Sequence, residues 1–171
     1  LMLQTWLYFD FLTQETKAPI AQKIAEEASD LKEFIDFVLP SYLGLYEILQ
    51  NDDEATKLKE LVTGKKVDLD QELIGSKKGN LIVGRVVNFG GSQIVFGDYG
   101  EFPEHTKISV LDMVLNKISI FYSEVLDEKE AYYKFMKNAG PYWFSIIAQE
   151  DGEILDPDYY LKFYKYPQKK F

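Results

Sequence analysis

Apolar residues recur along this chain with two different periods, and the change of period divides it into three stretches. Ile20, Ile24, Ala28, Leu31, Ile35 and Val38 follow at spacings of three and four, which places them on one helical stripe. Thr16 to Pro19 gives the helix start, with Pro19 suited to a first turn where its missing N–H costs nothing, and Pro40 ends it. Glu26, Glu27, Asp30 and Lys32 fall mostly off the stripe. Ahead of this helix, residues 1–12 are apolar nearly all round. They read as a buried helix, or as one whose partner lies upstream.

From Ser41 the period shortens to two. Gly44 to Leu49 reads as a strand and Asn51 to Glu54 as a polar turn. Lys57–Val62 and Lys66–Leu69 flank Thr63-Gly64-Lys65 and predict a hairpin, half-exposed because Val67 and Leu69 alternate with Lys66, Asp68 and Asp70. After a loop at Gly75–Gly79, two β-branched runs, Leu81–Phe89 and Ser92–Gly97, flank Gly90-Gly91, the strongest hairpin signal in the chain. The first run is apolar on both alternating faces, with Leu81, Val83 and Val87 on one and Ile82 and Val86 on the other. Such a strand is central. Five short strands in meander order predict a small bent antiparallel sheet or an SH3-like barrel.

Helical spacing returns after Phe102-Pro103. Thr106 is a candidate N-cap for a helix burying Ile108, Leu111, Val114, Leu115 and Ile118 and reaching about Tyr122. Asp127 caps another with Tyr132, Phe135 and Met136, and Gly140-Pro141 is a stop followed by a fresh start for Tyr142–Ile147. Asp156-Pro157 repeats that signal before Tyr159, Tyr160, Phe163 and Tyr164, and Lys165–Phe171 reads as a frayed tail or a boundary. The expected fold is therefore α+β: an antiparallel sheet at 41–104 packed by helices at 1–40 and 105–171. One domain, 1–171, is expected, an excerpt of a longer chain because it begins at Leu1.

Composition narrows the chemistry. A chain of 171 residues that is 46% hydrophobic and 15% aromatic can bury one substantial core. With no cysteine, disulfides, thiolate metal sites and cysteine nucleophiles are all removed, which fits a reducing, cytoplasmic setting. No apolar run approaches the length needed to span a membrane. Net charge is −9, which disfavours nucleic acid as a partner. Arg85 is the sole arginine, so at most one bidentate fork is available.

Three patches resemble the uncharacterised domain that precedes the zinc-binding SEC-C motif in many bacterial proteins. Trp6 with Phe9-Asp10 is similar to that family's aromatic-aspartate helix. Leu45–Leu49 followed by Leu58–Gly64 is similar to its strand–turn–"D-L-L-T-G" strand, with Glu60 where aspartate is usual. Gly79–Val87 is similar to its "G-D-hydrophobic-hydrophobic-x-x-R-hydrophobic" strand, with Asn80 where aspartate is usual. The likeness covers roughly residues 5–125 and departs at the zinc motif, which a cysteine-free chain lacks. It implies a cytosolic bacterial accessory domain of undefined activity.

Among single residues, Arg85 stands out. On a central strand its guanidinium needs a carboxylate, a row of carbonyls or a ligand, and Asp10, Glu47 and Glu60 are the candidate partners. The alternative is an anchor for an anion or a partner. His105, the one histidine, lies in a capping context rather than a catalytic motif. Asp52-Asp53-Glu54 and Glu150–Asp158 read as solvated turns, since Leu155 occupies a position where an EF-hand loop needs a ligand. Gly90, Gly91, Gly97 and Gly100 lie between strands, not at a helix start, so a turn is expected there and not a phosphate loop.

The aromatic band from Tyr132 to Tyr164 reads as core first and as a peptide or base platform second. The candidate binding residues are therefore Arg85, Lys65, Lys77, Tyr142 and Trp143, with no catalytic residue, metal or cofactor expected. A non-enzymatic accessory or protein-interaction domain leads. A nucleic-acid- or ribosome-associated module using Lys57, Lys59, Lys65, Lys66, Lys77 and Lys78 comes second, and a carboxylate-based metal-dependent hydrolase last.

Overall fold

A computed structural model describes residues 2–13, 17–53, 55–122, 127–140 and 142–143. Three helices come first: α1 (Met2–Phe9), α2 (Ile20–Glu27) and α3 (Ser29–Val38). Six strands follow: β1 (Leu43–Asn51), β2 (Thr56–Glu60), β3 (Lys66–Leu69), β4 (Leu81–Phe89), β5 (Ser92–Val95) and β6 (Gly100–Phe102). A 3-10 turn at Glu104–Thr106 leads into α4 (Lys107–Tyr122), and α5 (Glu128–Asn138) completes the named elements. The class is α+β. The helix signals of Asp156-Pro157 and the tail, and the acidic cluster at 150–158, lie outside the described residues.

The sheet is antiparallel with order β3-β2-β1-β4-β5, and β6 pairs β4. It is not a five-stranded meander. After β1, β2 and β3 run in sequence order, β4 returns to the free edge of β1, pairing Leu43 with Arg85 and Glu47 with Leu81. Alternation reports which face a residue occupies and not which strand lies alongside, so this return is invisible to it. β6 spans only three residues, too short for a periodic signal. Gly90 and Gly91 adopt φ of 61° and 92°, the positive values a two-residue turn between β4 and β5 demands.

The sheet bends strongly but stays open. Where β3 and β5 approach, the Asp70 N–H donates to the Gln93 carbonyl at 2.9 Å, and the Gln93 N–H donates to Asp70 Oδ2 at 2.9 Å. With four residues in each strand, that backbone bond and that side-chain bond stand where a ladder would run, and no barrel closes.

Three further expectations change. The helix read across 20–38 breaks at Ala28 (φ −123°, ψ 90°), which lets α2 and α3 bury different faces. Ala21, Ala25, Ile35 and Val38 are buried while Leu31 turns outward. In α4 the buried face is rotated: Val110 and Val114 go inward, and Ile108 and Leu115 are exposed. Thr106 is no N-cap acceptor here, because its hydroxyl donates to the Pro103 carbonyl at 2.7 Å. Asp127 does cap α5, accepting from the N–H groups of Lys129 and Glu130 at 2.9 and 3.0 Å.

One face of the sheet, carrying Leu43, Leu45, Leu81, Val83 and Phe102, packs on Trp6, Val114, Tyr132, Phe135 and Trp143. The other face, inside the bend, gathers Tyr46, Ile48, Leu58, Val67, Ile82 and Val95. A third cluster seats Phe9 and Val87 against Ala21, Ala25, Ile35 and Val38. A fully buried Leu, Ile, Val or Phe contributes about 1.5–3 kcal/mol each, so the sheet is anchored on both faces.

Candidate functional site

Arg85 has a protein partner. Its guanidinium is fully buried and pairs with the buried carboxylate of Asp10, at the end of α1. One terminal nitrogen also donates to the Ser41 carbonyl and hydroxyl at 3.0 and 3.1 Å, and the group lies 5.7 Å from the centre of the Phe9 ring. From α5, the Lys137 ammonium reaches the second Asp10 oxygen at 2.8 Å and the Leu39 carbonyl at 2.7 Å. Burial pushes the Asp10 carboxyl above its ordinary range, and Arg85 and then Lys137 pull it back; burial likewise draws the Lys137 ammonium down. The three charges tie α1, β4 and α5 together. The Asp10 and Arg85 side chains are fully buried in this tie, and the Lys137 side chain is 16% exposed.

The charged group that does meet an opening is Glu60. Along β2, Thr56, Leu58 and Glu60 share the face inside the bend, while Lys57 and Lys59 point to the other. Glu60 is only 2% exposed and stands opposite Tyr46 on β1. The Tyr42 hydroxyl donates to its Oε1 at 2.6 Å, and the Thr63 hydroxyl donates to its Oε2. Tyr46 lies back over Gly44, where a Cβ would stand 2.4 Å from the phenol oxygen. A cleft of about 150 Å³ opens here at the mouth of the bent sheet, lined by Pro40, Ser41, Tyr42, Tyr46, Glu60, Lys65, Val67 and Val86. Among the described residues no cation pairs with the Glu60 carboxylate.

Three phenols surround this carboxylate: Tyr42, Tyr46 and Tyr132, whose oxygen accepts the Leu45 N–H at 3.1 Å. Burial raises all three well above the ordinary value of 10.0, and the Glu60 charge raises each further. A group titrating higher in the fold than in the unfolded chain adds stability that is complete below its unfolded value. That stability is lost as pH rises toward the folded one. Stability should therefore decline above about pH 10. Tyrosinate absorbance from these phenols should appear together with unfolding in an alkaline titration. Their ionisation at about pH 10 in a protein with native circular dichroism would contradict the burial described.

Of the residues singled out from sequence, the structure brings two to this place. Lys65 lines the cleft, and Arg85 stands behind it through Ser41. Lys77 is exposed in the loop before β4, its N–H on Glu101 at 3.4 Å, and is not among the lining residues. Tyr142 and Trp143 are buried in the main core, not presented to a partner. His105 is exposed in the 3-10 turn. Acids stand among the lysines: Lys57 is opposite Asp68, and Lys59 lies between Glu47 and Lys66. Among the described residues there is no group of three or more His, Cys, Asp or Glu that could hold a metal ion. None of their helices is long and apolar enough to cross a membrane.

The sequence offers Glu60 as a possible partner for Arg85 and as a position in the family resemblance, not as a cleft residue. A sharper signal was available, since a carboxylate in phase with Thr56 and Leu58 on an alternating strand points inward. Comparison with family models, curated proteins and solved structures returns no match for this chain.

Proposed function

We propose that this chain is a non-enzymatic binding domain that engages a protein partner at the mouth of its bent sheet. One observation carries the reading: of the buried charged groups, Asp10 and Arg85 pair their charges with each other, whereas Glu60 opens on a cleft where, among the described residues, it meets hydroxyls and no cation. A sealed ion pair holds a fold together. A buried carboxylate beside an opening is placed to receive something. The resemblance to the domain ahead of SEC-C motifs supports the same view, an accessory module acting in the bacterial cytoplasm. Asp68 opposite Lys57 and Glu47 opposite Lys59 place acids among these lysines, and with a net charge of −9 this favours protein over nucleic acid as the partner.

Site-specific photo-crosslinking in intact cells tests it. A photoreactive residue at Lys65 should trap a discrete protein adduct, and one at Asp112, exposed on α4, should not. Equal labelling from both positions, or no adduct from Lys65, would overturn the proposal.

A further inference from the structure

The geometry points to the Glu60 cleft as a receptor for a lysine side chain of the partner, with the carboxylate as counter-ion and the Tyr42 and Tyr46 rings as walls. This rests on the binding-domain reading above. Burying a carboxylate is costly unless its charge is compensated, and two hydroxyl donors satisfy lone pairs without cancelling charge. An incoming cation would cancel it. The apolar lining of Pro40, Val67 and Val86 suits a methylene stem, and tyrosine faces attract a cation electrostatically. A volume of about 150 Å³ admits an ammonium head and part of its stem.

The form of the cation follows from what is already occupied. Each Glu60 oxygen already accepts one hydroxyl, so a two-pronged guanidinium bond would need the remaining lone pair of both oxygens to face the opening together. An ammonium is a compact point charge and needs only one side of the carboxylate. A divalent metal prefers several oxygen anions, and the cleft supplies one carboxylate. The net charge of −9 favours encounter with a basic partner. Lys65 lines the same cleft, yet its side chain is exposed and forms no ion pair with Glu60.

An NMR amide titration of the full chain tests the assignment, with N-acetyl-lysine methylamide as probe. Saturable shifts are expected at Tyr42, Tyr46, Glu60 and Val67. Glu60→Gln should weaken binding about tenfold, and the neutral norleucine analogue should bind about tenfold less tightly than the lysine probe. Should Glu60→Gln fail to fold, Tyr42→Ala, which removes one wall, should weaken binding at least about threefold. Equal binding of the norleucine analogue would overturn the proposal, as would probe binding that emerges only in Lys65→Ala. That second result would show Lys65 serving Glu60 within the chain. Butylammonium binding tighter than the lysine probe would assign the cleft to free amines and overturn the partner lysine. Loss of the probe signal with the Lys65 crosslink intact removes the cation anchor and leaves the binding reading standing; loss of both removes both.

Discussion

Asp10→Ala should lower the free energy of unfolding by about 3–5 kcal/mol, measured by urea denaturation, because it leaves Arg85 buried with no anion. The Asp10 carboxylate is the one negative charge that Arg85 and Lys137 share. Its loss also unties α1 from α5. Burial raises the Asp10 carboxyl and lowers the Lys137 ammonium, opposing the attraction between the charges. The tie is therefore expensive to break and cheap to replace. Asp10→Leu combined with Arg85→Met should return to within about 1–2 kcal/mol of the parent, since well-packed apolar groups often substitute for a buried ion pair at little cost. A single Asp10→Ala penalty under about 1 kcal/mol would show that the three charges do not anchor the helices.

The second large effect belongs to Trp6 and Gly140. Trp6 is 1% exposed, meets Phe11 edge-on, and donates its indole N–H to the Lys137 carbonyl at 2.8 Å. Trp6→Ala should cost about 3–5 kcal/mol. Gly140 lies against the indole so closely that an added Cβ would stand 2.1 Å from the ring. Gly140→Ala should therefore destabilise by about 1–3 kcal/mol through overpacking. In the Trp6→Ala background the same substitution meets open space on a helical backbone. It should then be neutral or stabilising, by up to about 1 kcal/mol. A double-mutant cycle reads this reversal of sign directly. Additive effects would mean that the two residues do not touch.

Much of the architecture is legible in the sequence where one residue type does one job. Gly90-Gly91 must be a turn, because few other residues accept two consecutive positive φ values. Asp127 must cap, because its side chain can reach two free N–H groups. Arg85 must find an anion, because nothing else makes a buried guanidinium tolerable. What alternation and spacing omit is who stands next to whom. The return of β4 to β1, the three-residue β6 and the outward turn of Leu31 all depend on contacts between distant segments. The cleft was missed for a related reason. Its lining comes from four separate stretches, and Glu60 is unusual only once Tyr42 and Thr63 are seen to hold it in place of a cation.

The tie between Asp10 and Lys137 also bears on how the chain is made. The partners are 127 positions apart, and the Trp6 indole and its carbonyl acceptor are 131 apart. A ribosome adds about 5–20 residues per second, so Lys137 emerges about 6–25 s after Asp10. Throughout that interval the β1–β2–β3 hairpins, built from near neighbours in sequence, can already be in place. The largely apolar N-terminal helix meanwhile lacks the Lys137 carbonyl that accepts the Trp6 indole in the fold. A factor that shields nascent apolar helices would find its substrate in that window, and its grip would end when α5 docks.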